Sequence, residues 1–289
     1  MNARAPALWS VVLILLLSGC SMGRIVARTS TSILDGGVEA LNRETDLKLA
    51  AAAIPANLKL IEGLIIKDPD NAQLLAYAAE GFYGYAFGFV EPEDRTRADA
   101  LYQRGFDYGL RALRSLGLEA DPRATPPSEL ADAVHGLGKD AVPALFWTAS
   151  CWARHIDLNR TNPAALAGLG STEALMARVD ALQPDYYYGG VALYYGVFYG
   201  ARAPMLGGDF ARSQQYFDQA RAATGGRLLI VDELQAEYLE RQRFDRDAFH
   251  RLLTRVTETP SNVLPEMALV NEIAKQRAQA LLARESEWF

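Results

Sequence analysis

From about residue 33 onward, apolar side chains recur every three to four positions and not every second one, the period of helices buried along one face. Leu74, Leu75, Ala78, Phe82, Tyr85 and Phe89 keep that spacing behind Asp70-Asn71. Either of those two can cap a helix that runs to about Val90. Glu91-Pro92-Glu93-Asp94 breaks it, and a second helix spans about Arg95 to Leu116, with Gly117 suited to end it. Residues 119–130 hold three prolines and read as a loop with a short helical start. Pro143 opens the next helix, with Leu145, Ala149, Trp152 and Ile156 on one face, and Asn162-Pro163 opens another that ends before Pro184. Asp209 caps a helix stopped by Gly225-Gly226, Arg227 to about Gln242 forms one more, and Asp245 or Asp247 caps the one through Val256. Pro265 to Ala283 closes the series.

One segment favours strand by composition, YYYGGVALYYGVFYG at 186–200, because tyrosine has high β propensity. It does not alternate apolar with polar, so it too is predicted to be helical. The expected class is therefore all-α, built of antiparallel helix pairs joined by short breaks. Gly81, Gly84 and Gly88 form a stripe inside one predicted helix, at about 1 kcal/mol each against alanine. Close approach of a neighbouring helix or of a ligand must offset that cost, and helix packing is the favoured cause.

GGDFARSQQYFDQARAAT, residues 207–224, resembles the second helix of a tetratricopeptide repeat. Phe210 and Phe217 are its large positions, and Ser213 and Ala220 the small ones that let paired helices approach. Ala98, Tyr102 and Gly105 form a weaker copy, and Pro184 stands where such repeats often end. The arrangement expected is a degenerate, tetratricopeptide-like superhelix occupying residues 33–289 as one domain.

The first nineteen residues follow a different pattern. Arg4 is followed by an apolar run from Ala7 to Leu17 and then by small residues before Cys20, the layout of a secretory signal peptide. The run is short of the roughly 20 residues that span a bilayer. Leu17-Ser18-Gly19-Cys20 also resembles the lipobox of bacterial lipoproteins. That resemblance implies removal of residues 1–19, lipidation of Cys20, a tether over 20–32 and anchoring to the membrane. Ser21, with no aspartate after the cysteine, resembles the pattern sent to the outer membrane, so a periplasm-facing position is expected.

Composition narrows the chemistry. The net charge is −6 with no basic run, which argues against nucleic acid as a partner. His135, His155 and His250 lack metal-ligand spacing, and no GxSxG, HExxH or phosphate-binding loop occurs. No catalysis, metal or cofactor is expected. Glu91, Glu93 and Asp94 read as a solvated acidic turn. Cys151, in an apolar helix, reads as a buried inert thiol.

The candidate ligand-contacting residues are aromatic or flexible apolar side chains. Phe82, Tyr85 and Phe89 accompany the glycine stripe; Trp147 and Trp152 lie in an apolar helix; Tyr187, Tyr194, Tyr195, Phe198 and Tyr199 crowd residues 186–200. Tyrosine offers an apolar face and a polar tip that suit the wall of a groove. Met205 and Leu206 would form an apolar lip between two helices. Ordinary core packing explains the same residues and is the favoured reading for most of them.

Taken in order, IEGLIIKDPDN (61–71), EGFYGYAFGFVEPED (80–94), ALYQRGFDYGLRAL (100–113), VPALFWTASCWARHIDLN (142–159), PDYYYGGVALYYGVFYGARAPMLGGDFARSQQYFDQA (184–220) and LVNEIAKQRAQALL (269–282) resemble the TatT family. These are T-component lipoproteins associated with TRAP-type (tripartite ATP-independent periplasmic) transporters. The resemblance implies a helical protein that docks the transporter's solute-binding protein and offers a groove or pore for a small hydrophobic ligand. Homo-oligomers, trimers among them, are part of what it implies. The alternative is a structural or assembly lipoprotein of the envelope with helical repeats and no small ligand.

Overall fold

The computed structural model describes residues 31–289, which contain helices and turns and no strand. Cys20, the leader and most of the tether lie outside the described residues. Twelve helices organise the rest: α1 Thr31–Asn42, α2 Leu47–Lys67, α3 Ala72–Tyr85, α4 Arg95–Ser115, α5 Pro127–His135, α6 Val142–Leu158, α7 Leu169–Leu182, α8 Tyr186–Gly200, α9 Phe210–Ala223, α10 Ile230–Gln235, α11 Arg246–Glu258 and α12 Ala268–Ala283.

Local chemistry sets most boundaries. Asp46, Asn71, Asp94, Asp209 and Asp245 each accept from backbone N–H groups of the first turn they cap. Gly117, Gly225 and Gly226 take positive φ after helix ends. Two π turns extend helices: Ala86–Val90 continues α3, and Ala236–Glu240 continues α10.

Several boundaries differ from the sequence reading. Residues 127–135 form a full helix, started by Pro127 in its first turn, where 119–130 was expected to be a loop with only a short helical start. The helix expected from Asn162 splits into a single turn, Pro163–Leu166, and α7. Gly168 sits in the break, where an added Cβ would lie 2.7 Å from the Trp152 ring. α8 opens in left-handed backbone, with Tyr187 at φ 53°, Tyr188 at 57° and Gly189 at 84°. The regular helix begins only after them. α2 is long and apolar enough to cross a membrane, but Ala50, Ile54, Leu58, Ile61 and Ile65 on one of its faces pack into the core.

Neighbouring helices approach closely where small residues face them. Gly105 and Gly109 of α4 lie against Cys151 and Thr148 of α6. Gly196 and Gly200 of α8 meet Phe217 and Ser213 of α9, and Ser213 Oγ donates to the Gly196 carbonyl at 2.7 Å. Two apolar cores result. One joins α2 to α8 around Leu75, Phe106, Leu145 and Leu175. The other joins the end of α3 to α9–α12 around Phe217, Leu239, Phe249 and Ala274. α3 crosses from one to the other, with Phe82 in the first and Phe87 in the second.

Candidate functional site

Between the two cores lies a cavity of about 460 Å³. Three helices run along it. α3, with its π turn, contributes Tyr77, Glu80, Gly81, Gly84, Tyr85 and Phe89; α6 contributes Phe146, Trp147, Ser150, Ala153, Arg154 and Asp157. α8 contributes Gly190, Leu193, Tyr194, Val197, Phe198 and Ala201. Each set follows helical spacing, so the cavity is elongated. Gly190 to Ala201 alone spans about 16 Å at 1.5 Å per residue. Ile54, Leu58 and Ile61 of α2 form another wall, and Ile230, Leu234, Leu269 and Ile273 close the far side. α1 lies over it through Leu34, Val38 and Leu41, and Tyr77 donates to Asp35 on that helix.

The walls are mainly aliphatic and aromatic, and the polar groups are segregated. At one end stand Glu80, Trp147 and Tyr187. Burial pushes the Glu80 carboxyl up to about 7, against hydrogen bonding from Tyr187 and Trp147. No basic side chain among the described residues pairs with it. Trp147 Nε1 is buried without a hydrogen bond of normal geometry. The Trp147 ring meets Phe146, Tyr187 and Tyr83 at centroid distances of 4.9, 4.8 and 5.3 Å. Left-handed backbone at Tyr187 puts its ring there, on the side of α6 and not along the α8 stripe.

At the other end lies a charged network. Arg154 donates to Glu91, to Asp157 at 3.0 Å and to the Tyr238 hydroxyl. Tyr102 donates to Glu91 at 2.6 Å, and Tyr238 to Asp157 at 2.7 Å. Arg160 Nε donates to Asp157 at 2.6 Å. Arg277 joins Glu233 at 3.0 Å and Glu237 at 2.7 Å. Both π turns border this network, one just before Glu91 and the other carrying Glu237 and Tyr238. Burial alone would raise the Glu91 carboxyl, but Arg154 and Arg277 outweigh it and hold the group below its ordinary value. Glu233, more deeply buried, rises to about 7 despite Arg277. Arg202 stands apart. It lines the cavity, donates to the Phe198 carbonyl at 3.0 Å and makes no ion pair among the described residues.

The structure divides the aromatic candidates. Tyr85, Phe89, Trp147, Tyr187, Tyr194 and Phe198 line the cavity together. Phe82 instead stacks on Tyr108 in the first core, and Trp152 packs edge-on against Phe106. Tyr195 and Tyr199 stack on Tyr216 on the face of α8 turned to α9. Met205 and Leu206 sit in an exposed one-turn helix away from the lining of this cavity. The glycine stripe is divided in the same way. Gly81 meets Leu58 and Gly88 meets Ile273, whereas an added Cβ at Gly84 would enter open space.

Sequence reasoning missed the polar residues. Glu91, expected in water, is 8% exposed. Glu80 did carry a signal, as the single charged residue between Ala72 and Val90. Arg154, the only basic residue from Val142 to Arg154, carried a weaker one. Cys151 is buried, and burial pushes its thiol far above the usual range.

Comparison with known proteins follows the same boundaries. A family model described as TRAP transporter T-component matches residues 43–289, from just after α1 to the C-terminus. A protein of Treponema pallidum (strain Nichols), described as an uncharacterized protein, is 23% identical over 305 aligned positions. The alignment covers 95% of this chain and 94% of that protein.

Proposed function

Since the chain belongs to the TRAP transporter T-component family, we propose that it serves its transporter by holding an elongated, mainly apolar ligand in the cavity between its two cores. Membership associates the protein with a TRAP transporter in the bacterial cell envelope, and this family is a transporter component, not an enzyme family. The cavity carries the ligand reading. Its size falls in the range of small-molecule sites, and its helices spend glycine at Gly84, where nothing packs, leaving the space open.

In this reading the protein docks the transporter's solute-binding protein and exchanges ligand with it. It faces the periplasm from a lipid anchor at Cys20, in the outer membrane. The paired helices act as degenerate tetratricopeptide-like repeats and supply the docking scaffold, as a monomer or a homo-oligomer. Chemistry here is selection by shape and polarity, with no bond made or broken.

Native mass spectrometry of the protein purified without detergent tests the ligand reading, with a co-purifying apolar molecule as the expected result. Crosslinking in intact envelopes should recover a TRAP solute-binding protein. An empty cavity together with an envelope-assembly partner would favour the structural alternative. Cys20→Ala should release a folded protein from the membrane fraction.

A further inference from the structure

Glu80 is the unusual group in the cavity. A carboxyl facing a mainly apolar cavity normally has a cation or a set of strong donors to hold its charge. Among the described residues Glu80 has only Tyr187 and Trp147. Four aromatic rings, those of Tyr83, Phe146, Trp147 and Tyr187, line the same end of the cavity with it. An acid ringed by aromatic faces, with no cation in reach among the described residues, matches what a positive ligand requires. The carboxylate supplies the counter-charge, and the ring quadrupoles attract the cation. At the opposite end the charges come already paired. Arg154 lies about 10 Å along α6 from Trp147, and Arg160 and Arg202 line the cavity beyond it.

Resting on the reading that the cavity holds a ligand, we propose that its Glu80 end is a receptor for a single organic cation, an ammonium group carried on an apolar chain. The ammonium replaces the missing counter-charge of Glu80. Trp147 Nε1–H, freed from its poor geometry by a small shift, donates to the same carboxylate. The chain then runs between α3 and α8 over Leu193, Val197, Leu269 and Ile273. A second positive charge at the far end of the ligand would meet Arg154 and Arg160 with an Asp157 already paired to both, and would be rejected for want of a free counter-charge.

Groups that face Glu80 leave its titration readable. From α8 come Tyr187 and Tyr186, and from α3 itself Tyr83; burial raises all three phenols well above neutrality. α6 offers the uncharged Trp147. α2 offers the uncharged Asn57, and on α1 Asp35 is engaged by Tyr77. The walls from α10 and α12 are apolar at this cavity.

The test uses three probes of one chain length on the full chain, by calorimetry: octylammonium, 1-octanol and octanoate. Octylammonium should bind about tenfold more tightly than octanol near pH 8, and Glu80→Gln should abolish that preference while leaving octanol unchanged. In the unsubstituted protein, octylammonium affinity should rise about tenfold from about pH 6 to about pH 8 as Glu80 ionises, with octanol flat. This second measurement stands even if the variant fails to fold. 1,8-Diaminooctane should bind more weakly than octylammonium. Octanol or octanoate binding as tightly as octylammonium, or a preference that survives Glu80→Gln, overturns the cation receptor and leaves the cavity reading standing. If none of the probes binds, the cavity reading falls as well.

Discussion

Arg154 on α6 and Glu91 at the end of α3 form a buried ion pair at the seam between the two cores, each less than one-tenth exposed. Tyr102 donates to Glu91, and the Tyr238 hydroxyl accepts from Arg154. A buried pair is costly to break from one side, because the remaining charge is stranded.

Arg154→Met should therefore destabilise the fold by about 3–5 kcal/mol, measured by urea denaturation near pH 7. Glu91→Gln should cost less, since Asp157 still pairs with the guanidinium. The pH dependence has a defined sign. The Glu91 carboxyl lies below its ordinary value when folded, so its stabilisation is complete above about 4.5 and is lost as pH falls through the folded value. The acid limb of the stability profile should flatten in the Glu91→Gln variant.

Glu80 acts in the opposite direction. Its folded value is about 7 against 4.5, so the ligand-free protein loses stability as pH rises between those values. The shift corresponds to about 3 kcal/mol. Glu80→Gln should raise the melting temperature near pH 8 and change it little near pH 4. Equal effects at both pH values would show that the carboxyl is not held in its protonated form.

Two glycines should respond to alanine with opposite signs. At Gly84 the added Cβ enters the cavity, so helix propensity should stabilise Gly84→Ala by about 1 kcal/mol. At Gly109 it would lie 3.2 Å from Thr148 Cβ and 3.3 Å from Thr148 Cα. α4 and α6 would have to separate, and Gly109→Ala should cost about 1–3 kcal/mol. Gly84→Phe, reaching further into the space, should displace the bound ligand while the protein stays folded; thermal melts and native mass spectrometry read the two effects separately.

Gly189→Ala probes the left-handed start of α8. φ is 84° there, and the new Cβ would lie 2.8 Å from Ala223 Cβ. Left-handed backbone alone costs an alanine about 1–2 kcal/mol, and the clash adds to it. The variant should be destabilised by more than about 2 kcal/mol. Because Gly189 holds the turn that places Tyr187, ligand affinity should fall even in the fraction that remains folded.

Helical class and most helix ends were legible because their causes are local. Asn71, Asp94 and Asp209 cap helices by bonding to N–H groups within three residues, and Gly225-Gly226 stops one through its own backbone freedom. The start of α8 was not legible. Tyr187 and Tyr188 carry no sequence sign of left-handed backbone, which only packing between α6 and α9 can hold in place.

A helical stripe shows which side chains share a face, but not what the face meets. Tyr194 and Tyr195 are adjacent in sequence, yet one lines the cavity and the other stacks on Tyr216. Glu91 was legible as part of a turn; its burial depends on Arg154 and Arg277, 63 and 186 positions away. The sequence by itself determined the all-helical class, the caps and breaks, and the family pattern, because these rest on contacts a few residues apart or on matched order along the chain. Tertiary structure alone decided where the helices leave a void and which charges lose their water, because burial and electrostatic environment are sums over residues distant in sequence.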